Sequence, residues 1–159
     1  MNMKKMILHG VNLDVITNQP VVILKDLDAN YYLPIWIGQF EATSILMEIQ
    51  DIKPARPLTH DLMRTMLEKM DSVMEKVVIN DLKDGTFYAK IYLNNRSVPM
   101  EIDARPSDAI ALAVRTKAPI FVADSVINEA SIISEQGEEE EVKRFRSFLS
   151  EINPEDFKL

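Results

Sequence analysis

The sequence predicts an α+β fold with a mixed β-sheet. Segments rich in β-branched and aromatic residues come first and are followed by segments whose apolar residues recur at helical spacing. The expected order is three strands, two helices, further strands, a helix, a strand and a tail helix. This order lacks the regular strand–helix alternation of parallel α/β folds. Asp84-Gly85 between two alternating runs adds a β-hairpin.

Three strands and two helices are expected in the first half of the chain. The strands correspond to "MILHGVNLDVI", "PVVILKD" and "YYLPIWIG". His9 and Trp36 fall within strands, where we expect structural roles for both, with Trp36 in the core. The helix "QFEATSILMEIQ" should turn one apolar stripe to the core, made of Phe40, Ala42, Ile45, Leu46 and Ile49. The helix "THDLMRTMLEKM" should likewise turn an apolar stripe to the core, made of Leu62, Met63, Met66, Leu67 and Met70.

The second half begins with the hairpin "VMEKVVINDL" and "TFYAKIYL". A strand over "SVPMEIDA" should end at Asp103, and a helix over "PSDAIALAVRTK" should turn Ala109, Ile110, Ala113 and Val114 inward. A short buried strand, "PIFVA", follows.

The composition indicates one soluble globular domain with an appendage. The chain has 159 residues, of which 47% are hydrophobic and 27% charged. The absence of cysteine excludes disulfides, thiolate metal ligands and a cysteine nucleophile. No apolar run is long enough for a signal peptide or a membrane span, so we expect a cytoplasmic protein.

The net charge of −7 is unevenly distributed. We divide the chain into a body, residues 1–130, and a segment 131–159 predicted to be an acidic linker and an amphipathic helix. The body has 17 acidic and 14 basic residues, and the segment has 8 and 4. Neither has the broad basic surface typical of nucleic-acid binding, so any phosphate site must be local.

Two short stretches, "RPLTHDL" (residues 56–62) and "ARPSDAI" (residues 104–110), nearly repeat each other at helix starts. Helix capping is one interpretation. Thr59 and Ser107 would be N-caps, and Asp61 and Asp108 would interact favourably with the helix dipoles. Arg56 and Arg105 would then pair with these aspartates or with other acids.

A functional site is the other interpretation, because helix N-termini and arginine forks both bind phosphate. If the two starts meet in one cleft, they combine arginines, a histidine, carboxylates and hydroxyls. Phosphodiester hydrolysis uses such a set, with carboxylates on Mg²⁺ or Mn²⁺ and histidine as acid or base. The candidate catalytic residues are Arg56, His60, Asp61, Arg105 and Asp108. Thr59 and Ser107 are candidate phosphate ligands, and Asp103 and Asp108 are candidate metal ligands. No motif of zinc hydrolases, P-loop enzymes or serine hydrolases is present.

Several motifs in order resemble the bifunctional nuclease family over about residues 3–125. They are "PVVILKD", "LPIWIGQFEA", "RPLTHDL", "LKDGTFYAKI", "IDARPSDAIALAVR" and "APIFV". The resemblance implies a compact α+β fold, homo-oligomers, and degradation of RNA and DNA. The positions that match the family's polar motifs are Glu41, Arg56, His60, Asp61, Asp81, Lys83, Asp103, Arg105, Ser107 and Asp108. The resemblance therefore adds Glu41 as a metal ligand and Lys83 as a phosphate ligand.

The resulting hypothesis is a metal-assisted nuclease whose two helix starts share one cleft. Two alternatives remain open. A non-catalytic interaction or regulatory module would have its polar residues in buried ion pairs without an open cavity. A domain binding a small anionic ligand would use the same helix N-termini without a metal.

Overall fold

The computed structural model describes residues 2–133, which form one eight-stranded mixed sheet with four helices. The strands are β1 Met3–Leu13, β2 Pro20–Asp26, β3 Tyr31–Trp36, β4 Ser72–Lys83, β5 Thr86–Asn95, β6 Val98–Ala104, β7 Ile120–Ala123 and β8 Ile132–Ile133. The helices are α1 Gln39–Ile49, α2 Thr59–Lys69, α3 Pro106–Thr116 and α4 Asp124–Ala130. The predicted α+β class with a mixed sheet is confirmed; α4 and β8 were not predicted.

The sheet order is β6-β5-β4-β7-β1-β2-β3-β8. Within the described chain, β4 and β7 form the one parallel pair, with Val77 opposite Ile120, and the other neighbours are antiparallel. The predicted hairpin is confirmed, since Lys83 pairs with Thr86 across the turn. Gly85 there has a φ of +78°, which glycine adopts without steric cost.

Helix α3 is the central helix of the layer that covers the sheet. It contacts α1, α2, β4 and β5. Its five consecutive residues 109–113 are all buried, as expected for a helix with neighbours on several sides. Because α1 and α2 both pack against α3, the start of α3 is positioned between two other helices.

The apolar stripes predicted for α1 and α2 are partly wrong. Ala42, Ile45 and Leu46 are buried, but Phe40 is 63% exposed and Ile49 is exposed as well. On α2, Met63 and Leu67 pack against the core, whereas Leu62, Met66 and Met70 are exposed. Both helices lie at the sides of α3, so only a narrow face of each reaches the core.

Trp36 is exposed, which corrects the prediction that it lies in the core. It is the last residue of β3 and is 46% exposed. Its indole N–H donates a hydrogen bond of 2.9 Å to Oδ2 of Asp14. The tryptophan therefore has a fixed orientation at the surface.

Beyond Ile133, the predicted acidic linker and amphipathic helix lie outside the described residues. The short β8 strand pairs with β3, with Ile133 opposite Tyr31. Across residues 2–133, the helices are too short or too polar to span a bilayer.

Candidate active site between three helices

The starts of α2 and α3 lie side by side and are joined by a direct contact. His60, in the first turn of α2, has Nε2 2.9 Å from Oδ1 of Asp108, in the first turn of α3. Helix α1 contributes Ser44, whose Oγ lies 2.7 Å from Nδ1 of His60. Ser44, His60 and Asp108 therefore form a continuous hydrogen-bonded series across three helices.

The donor and acceptor roles in this series follow from its chemistry. A carboxylate can only accept hydrogen bonds, so Nε2 of His60 is the protonated nitrogen that donates to Asp108. In the neutral imidazole, Nδ1 is then an acceptor, and the Ser44 hydroxyl donates to it. His60 is 5% exposed, whereas the Asp108 side chain is 38% exposed. The buried histidine thus holds a carboxylate that solvent and ligands can reach.

The helix caps differ from the capping interpretation. Leu58 and Arg105 occupy the N-cap positions, and neither makes a side-chain capping hydrogen bond. Thr59 and Ser107 are already inside the helices, so the expectation that they are N-caps is wrong. The N–H of Leu58 is instead satisfied by Oδ2 of Asp61, at 3.0 Å.

A nearly buried ion pair fixes the three helices below the site. Nε of Arg115 lies 2.8 Å from Oδ1 of Asp61, and the two side chains are 2% and 18% exposed. The same guanidinium donates to the carbonyl oxygens of Ser44, at 3.1 Å, and Ala111, at 3.0 Å. Arg115 therefore connects α3 to both α1 and α2. Arg56 and Arg105, which were expected to pair with Asp61 and Asp108, form no ion pair with either aspartate.

The pKa of Asp61 reflects this pairing. Burial raises the pKa of the carboxyl, but hydrogen bonds from Arg115 and from the N–H of Leu58 lower it. The net pKa lies below the ordinary value of 3.8. Asp61 is thus an ionised structural residue.

An open cleft of about 270 Å³ lies over the Ser44–His60–Asp108 series. Its charged lining residues are two acids, Glu41 and Asp108. Phe40, Met47 and Leu58 supply apolar walls. The cleft therefore combines an apolar side with a negative edge.

Glu41 folds back toward the start of its own helix. A Cβ built on Gly38, the N-cap of α1, would overlap Oε2 of Glu41. The absence of a side chain at position 38 thus leaves the space that the Glu41 carboxylate occupies.

Thr59, a predicted phosphate ligand, also lines the cleft, but the other predicted site residues lie elsewhere. Arg56 is exposed and does not line the cleft. Arg105 and Ser107 line a different pocket, beside Trp36. Asp103 lies on β6 opposite Lys90 of β5. Lys83 pairs with Asp81 of the same strand, with Nζ 3.3 Å from Oδ2.

Comparison with known proteins assigns the chain to a family. Residues 22–135 match the family described as the bifunctional nuclease domain. The chain belongs to the bifunctional nuclease family. The match contains every residue of the cleft and of the Arg115–Asp61 pair.

Bacterial and plant proteins are among the relatives. An uncharacterized protein of Mycobacterium tuberculosis is 39% identical over 158 residues, covering 94% of each chain. Bifunctional nuclease 2 of Oryza sativa subsp. japonica is 30% identical over 122 residues, and bifunctional nuclease 1 of Arabidopsis thaliana is 29% identical over 118. The matches cover 74% and 72% of this chain but only 38% and 36% of the plant proteins.

The cleft of this bifunctional nuclease domain offers some, but not all, of the ligands that a bound cation needs. Within residues 2–133, no group of three or more acidic, histidine or cysteine side chains has the arrangement of a metal site. The cleft does contain two carboxylates, Glu41 and Asp108. Mg²⁺ commonly binds proteins through one or two carboxylates and takes its other ligands from water and substrate phosphate. Two carboxylates in an open cleft fit that mode of binding.

Ser44 and Arg115 were missed by sequence reasoning, although both had a signal. Each is a polar residue on the buried side of an amphipathic helix, where an apolar residue is the norm. A buried arginine requires a carboxylate partner, and a buried serine requires an acceptor. That signal identifies the residues but not their partners, because the partners lie on other helices.

Proposed function

We propose that the protein hydrolyses phosphodiester bonds of RNA or DNA in the cleft between α1, α2 and α3, with Mg²⁺ or Mn²⁺ as cofactor. The contact between His60 and Asp108 carries this proposal, because it holds a half-exposed carboxylate in a cleft that a second carboxylate, Glu41, also lines. Membership in the bifunctional nuclease family supports the reaction class.

The charge of the cleft supports metal dependence. Its charged side chains, Glu41 and Asp108, would repel an anionic phosphodiester if nothing stood between them. These two carboxylates would hold the cation. When bound, the ion would supply positive charge for the phosphate oxygens.

His60 has a positioning role in this proposal, in place of the acid–base role that the sequence suggested. Its N–H fixes one oxygen of Asp108 at 2.9 Å, and Ser44 fixes the tautomer from the other side. Such partners of a metal-binding carboxylate orient it and tune its affinity for the ion. The low exposure of His60 agrees with a role beneath the reacting groups.

The apolar side of the cleft suits the rest of a nucleotide. Phe40 lines the cleft and is 63% exposed although it is aromatic. Bases stack on such rings with little sequence preference. Phe40, Met47 and Leu58 would therefore contact a base or sugar while the phosphate meets the acidic edge.

The test is cleavage of labelled single-stranded RNA and DNA with Mg²⁺, with Mn²⁺ and with EDTA. An Asp108→Asn variant is compared with Asp103→Asn, a matched control on β6 outside the cleft. We expect metal-dependent cleavage that falls about 100-fold or more in Asp108→Asn and is unchanged in Asp103→Asn. Equal activity in both folded variants would place the activity outside this cleft or in a contaminant.

The non-catalytic module is the second candidate, and one observation favours it. The Asp61–Arg115 pair is the closed, buried type of ion pair that this alternative requires. The open cleft and the accessible Asp108 count against this alternative, which predicts no open cavity. Absence of cleavage under every metal condition would favour this candidate.

A further inference from the structure

A second pocket lies on the other side of the start of α3. Its volume is about 230 Å³. The end of β3 contributes Trp36, the β4–β5 turn contributes Gly85, and the start of α3 contributes Arg105 and Ser107. None of the four lines the acidic cleft.

The charge of this pocket is opposite to that of the cleft. Arg105 is the one charged residue of its lining, and its side chain makes no ion pair within residues 2–133. Arginine presents a planar fork of donors that matches the oxygens of a phosphate. The pocket therefore favours an anion, whereas the cleft favours a cation.

The Ser107 hydroxyl has no hydrogen-bond partner in the described chain, although the residue as a whole is nearly buried. It is 3% exposed and lines the pocket, and it makes no hydrogen bond with another residue of the range 2–133. Its oxygen is not one of the fully enclosed unpaired atoms of residues 2–133, so the hydroxyl is accessible to a ligand in the pocket. It also belongs to the first turn of the 11-residue helix α3, where backbone N–H groups favour anions. Ser107 and Arg105 thus supply donors of two kinds to one small pocket.

Trp36 adds a large aromatic surface to this pocket. It is 46% exposed, and the hydrogen bond of its indole N–H to Asp14 sets its orientation. An aromatic side chain that is fixed and half-exposed is a platform on which a base can stack.

We infer that the pocket formed by Trp36, Arg105 and Ser107 binds one nucleotide of an unpaired strand, with its base against Trp36 and its phosphate at Arg105 and Ser107. A base that stacks on a side chain is not available to a duplex, so the substrate class is single-stranded nucleic acid. This inference rests on the proposed function in that it makes the pocket a subsite of the same enzyme.

The two pockets are close enough for one strand. Ser107 lines the second pocket and Asp108 lines the cleft, and consecutive Cα atoms are about 3.8 Å apart. One strand passing over the start of α3 would reach both. A nucleotide anchored at Arg105 would then present a neighbouring phosphodiester to the carboxylates.

The experiment uses intrinsic fluorescence, since Trp36 is the only tryptophan of the chain. The full-length protein is titrated with adenosine monophosphate in EDTA, so that neither metal nor turnover is involved. Adenosine and inorganic phosphate are titrated separately. We expect saturable quenching by adenosine monophosphate, with binding about 10-fold weaker for adenosine or phosphate alone, because each makes only half of the contacts.

Arg105→Gln, Ser107→Ala and the control Arg56→Gln are compared by the same titration. We expect the Kd to rise about 10-fold in Arg105→Gln, where a charge-assisted hydrogen bond is lost. In Ser107→Ala we expect a smaller rise, and in Arg56→Gln none. Absence of saturable quenching, or equal Kd values in Arg105→Gln and Arg56→Gln, would overturn the inference. If the protein binds adenosine monophosphate but shows no cleavage activity, the nucleotide pocket is supported and only the proposal of nuclease activity is contradicted.

Discussion

Nε2 of His60 and Oδ1 of Asp108 are 2.9 Å apart, although the two residues are 48 positions apart in the chain. This contact joins two helix starts whose sequences nearly repeat each other. It also explains why an aspartate and a histidine occur there, because the buried ring positions the accessible carboxylate.

His60→Phe tests the positioning role of the histidine. The variant keeps an aromatic ring, slightly larger than imidazole, but loses both nitrogens, so Asp108 and Ser44 lose their shared partner. We expect the Mn²⁺ concentration for half-maximal cleavage to rise about 10- to 100-fold, as is typical when a residue that hydrogen-bonds to a metal ligand is replaced. His9→Phe, in β1 and in ring contact with Tyr32, is the control and should leave this concentration unchanged. An unaltered metal dependence in a folded His60→Phe would remove the proposed role.

Gly38→Ala tests whether the Glu41 carboxylate holds the ion. The added methyl group would displace Oε2 of Glu41, and the backbone at position 38 is extended, so alanine fits it without strain. We expect weaker Mn²⁺ binding by calorimetry and little change in unfolding free energy. Gly85→Ala should show the reverse, with a stability loss of about 1 kcal/mol because its φ is positive, and unchanged metal binding. Identical metal affinities in the two variants would exclude Glu41 as a ligand.

Arg115→Met tests the ion pair that connects the three helices. The variant leaves Asp61 without its guanidinium in a mostly buried position, so we expect an unfolding free energy lower by about 3 kcal/mol in urea titrations. Arg64→Met, which removes an exposed i,i+4 contact to Glu68, should cost less than about 0.5 kcal/mol. The double variant Arg115→Met/Asp61→Asn should lose less unfolding free energy than the sum of the losses in the two single variants. Equal losses for Arg115 and Arg64 would show that the buried pair contributes no more than a surface pair.

The pH dependence of stability follows from the lowered pKa of Asp61. Because the folded pKa lies below 3.8, ionised Asp61 stabilises the protein above that pH, and this contribution is lost as the pH falls through the folded pKa. We therefore expect the unfolding free energies of wild type and Asp61→Asn to differ most near neutral pH and to converge as the pH falls below 3.8 and through the folded pKa. Thermal unfolding at several pH values measures this, and a difference that grows in acid would have the wrong sign.

Local sequence signals predicted much of the fold, because they act over a few residues. The Asp84-Gly85 turn, the Pro106 helix start and the period of two in β4 and β5 each specify a local conformation. The exposure of Phe40 and Trp36 was not predictable in this way. It depends on which elements cover these two side chains, and those elements are distant in sequence.

The site was only partly predictable for the same reason. The repeated motif identified His60 and Asp108, but it also grouped Arg105 and Ser107 with them. Consecutive residues in a helix point about 100° apart, so adjacent residues can serve different pockets. Which pocket each residue faces is decided by the helices and strands around it, and those contacts are distant in sequence.

The order of the sheet has a consequence for how the site assembles. Strands β1 to β3 and strands β4 to β6 each form antiparallel pairs between chain neighbours, and β7 lies between the two groups. Among the described strands, β7 is the one that joins them, through pairs with β1 and β4. Local pairs form early, whereas pairs between distant segments must first overcome the entropy of closing a long loop. The helices of the cleft precede and follow β4 in the chain. We therefore expect the cleft to be completed only after β7, a late strand of the chain, has joined the two groups of strands.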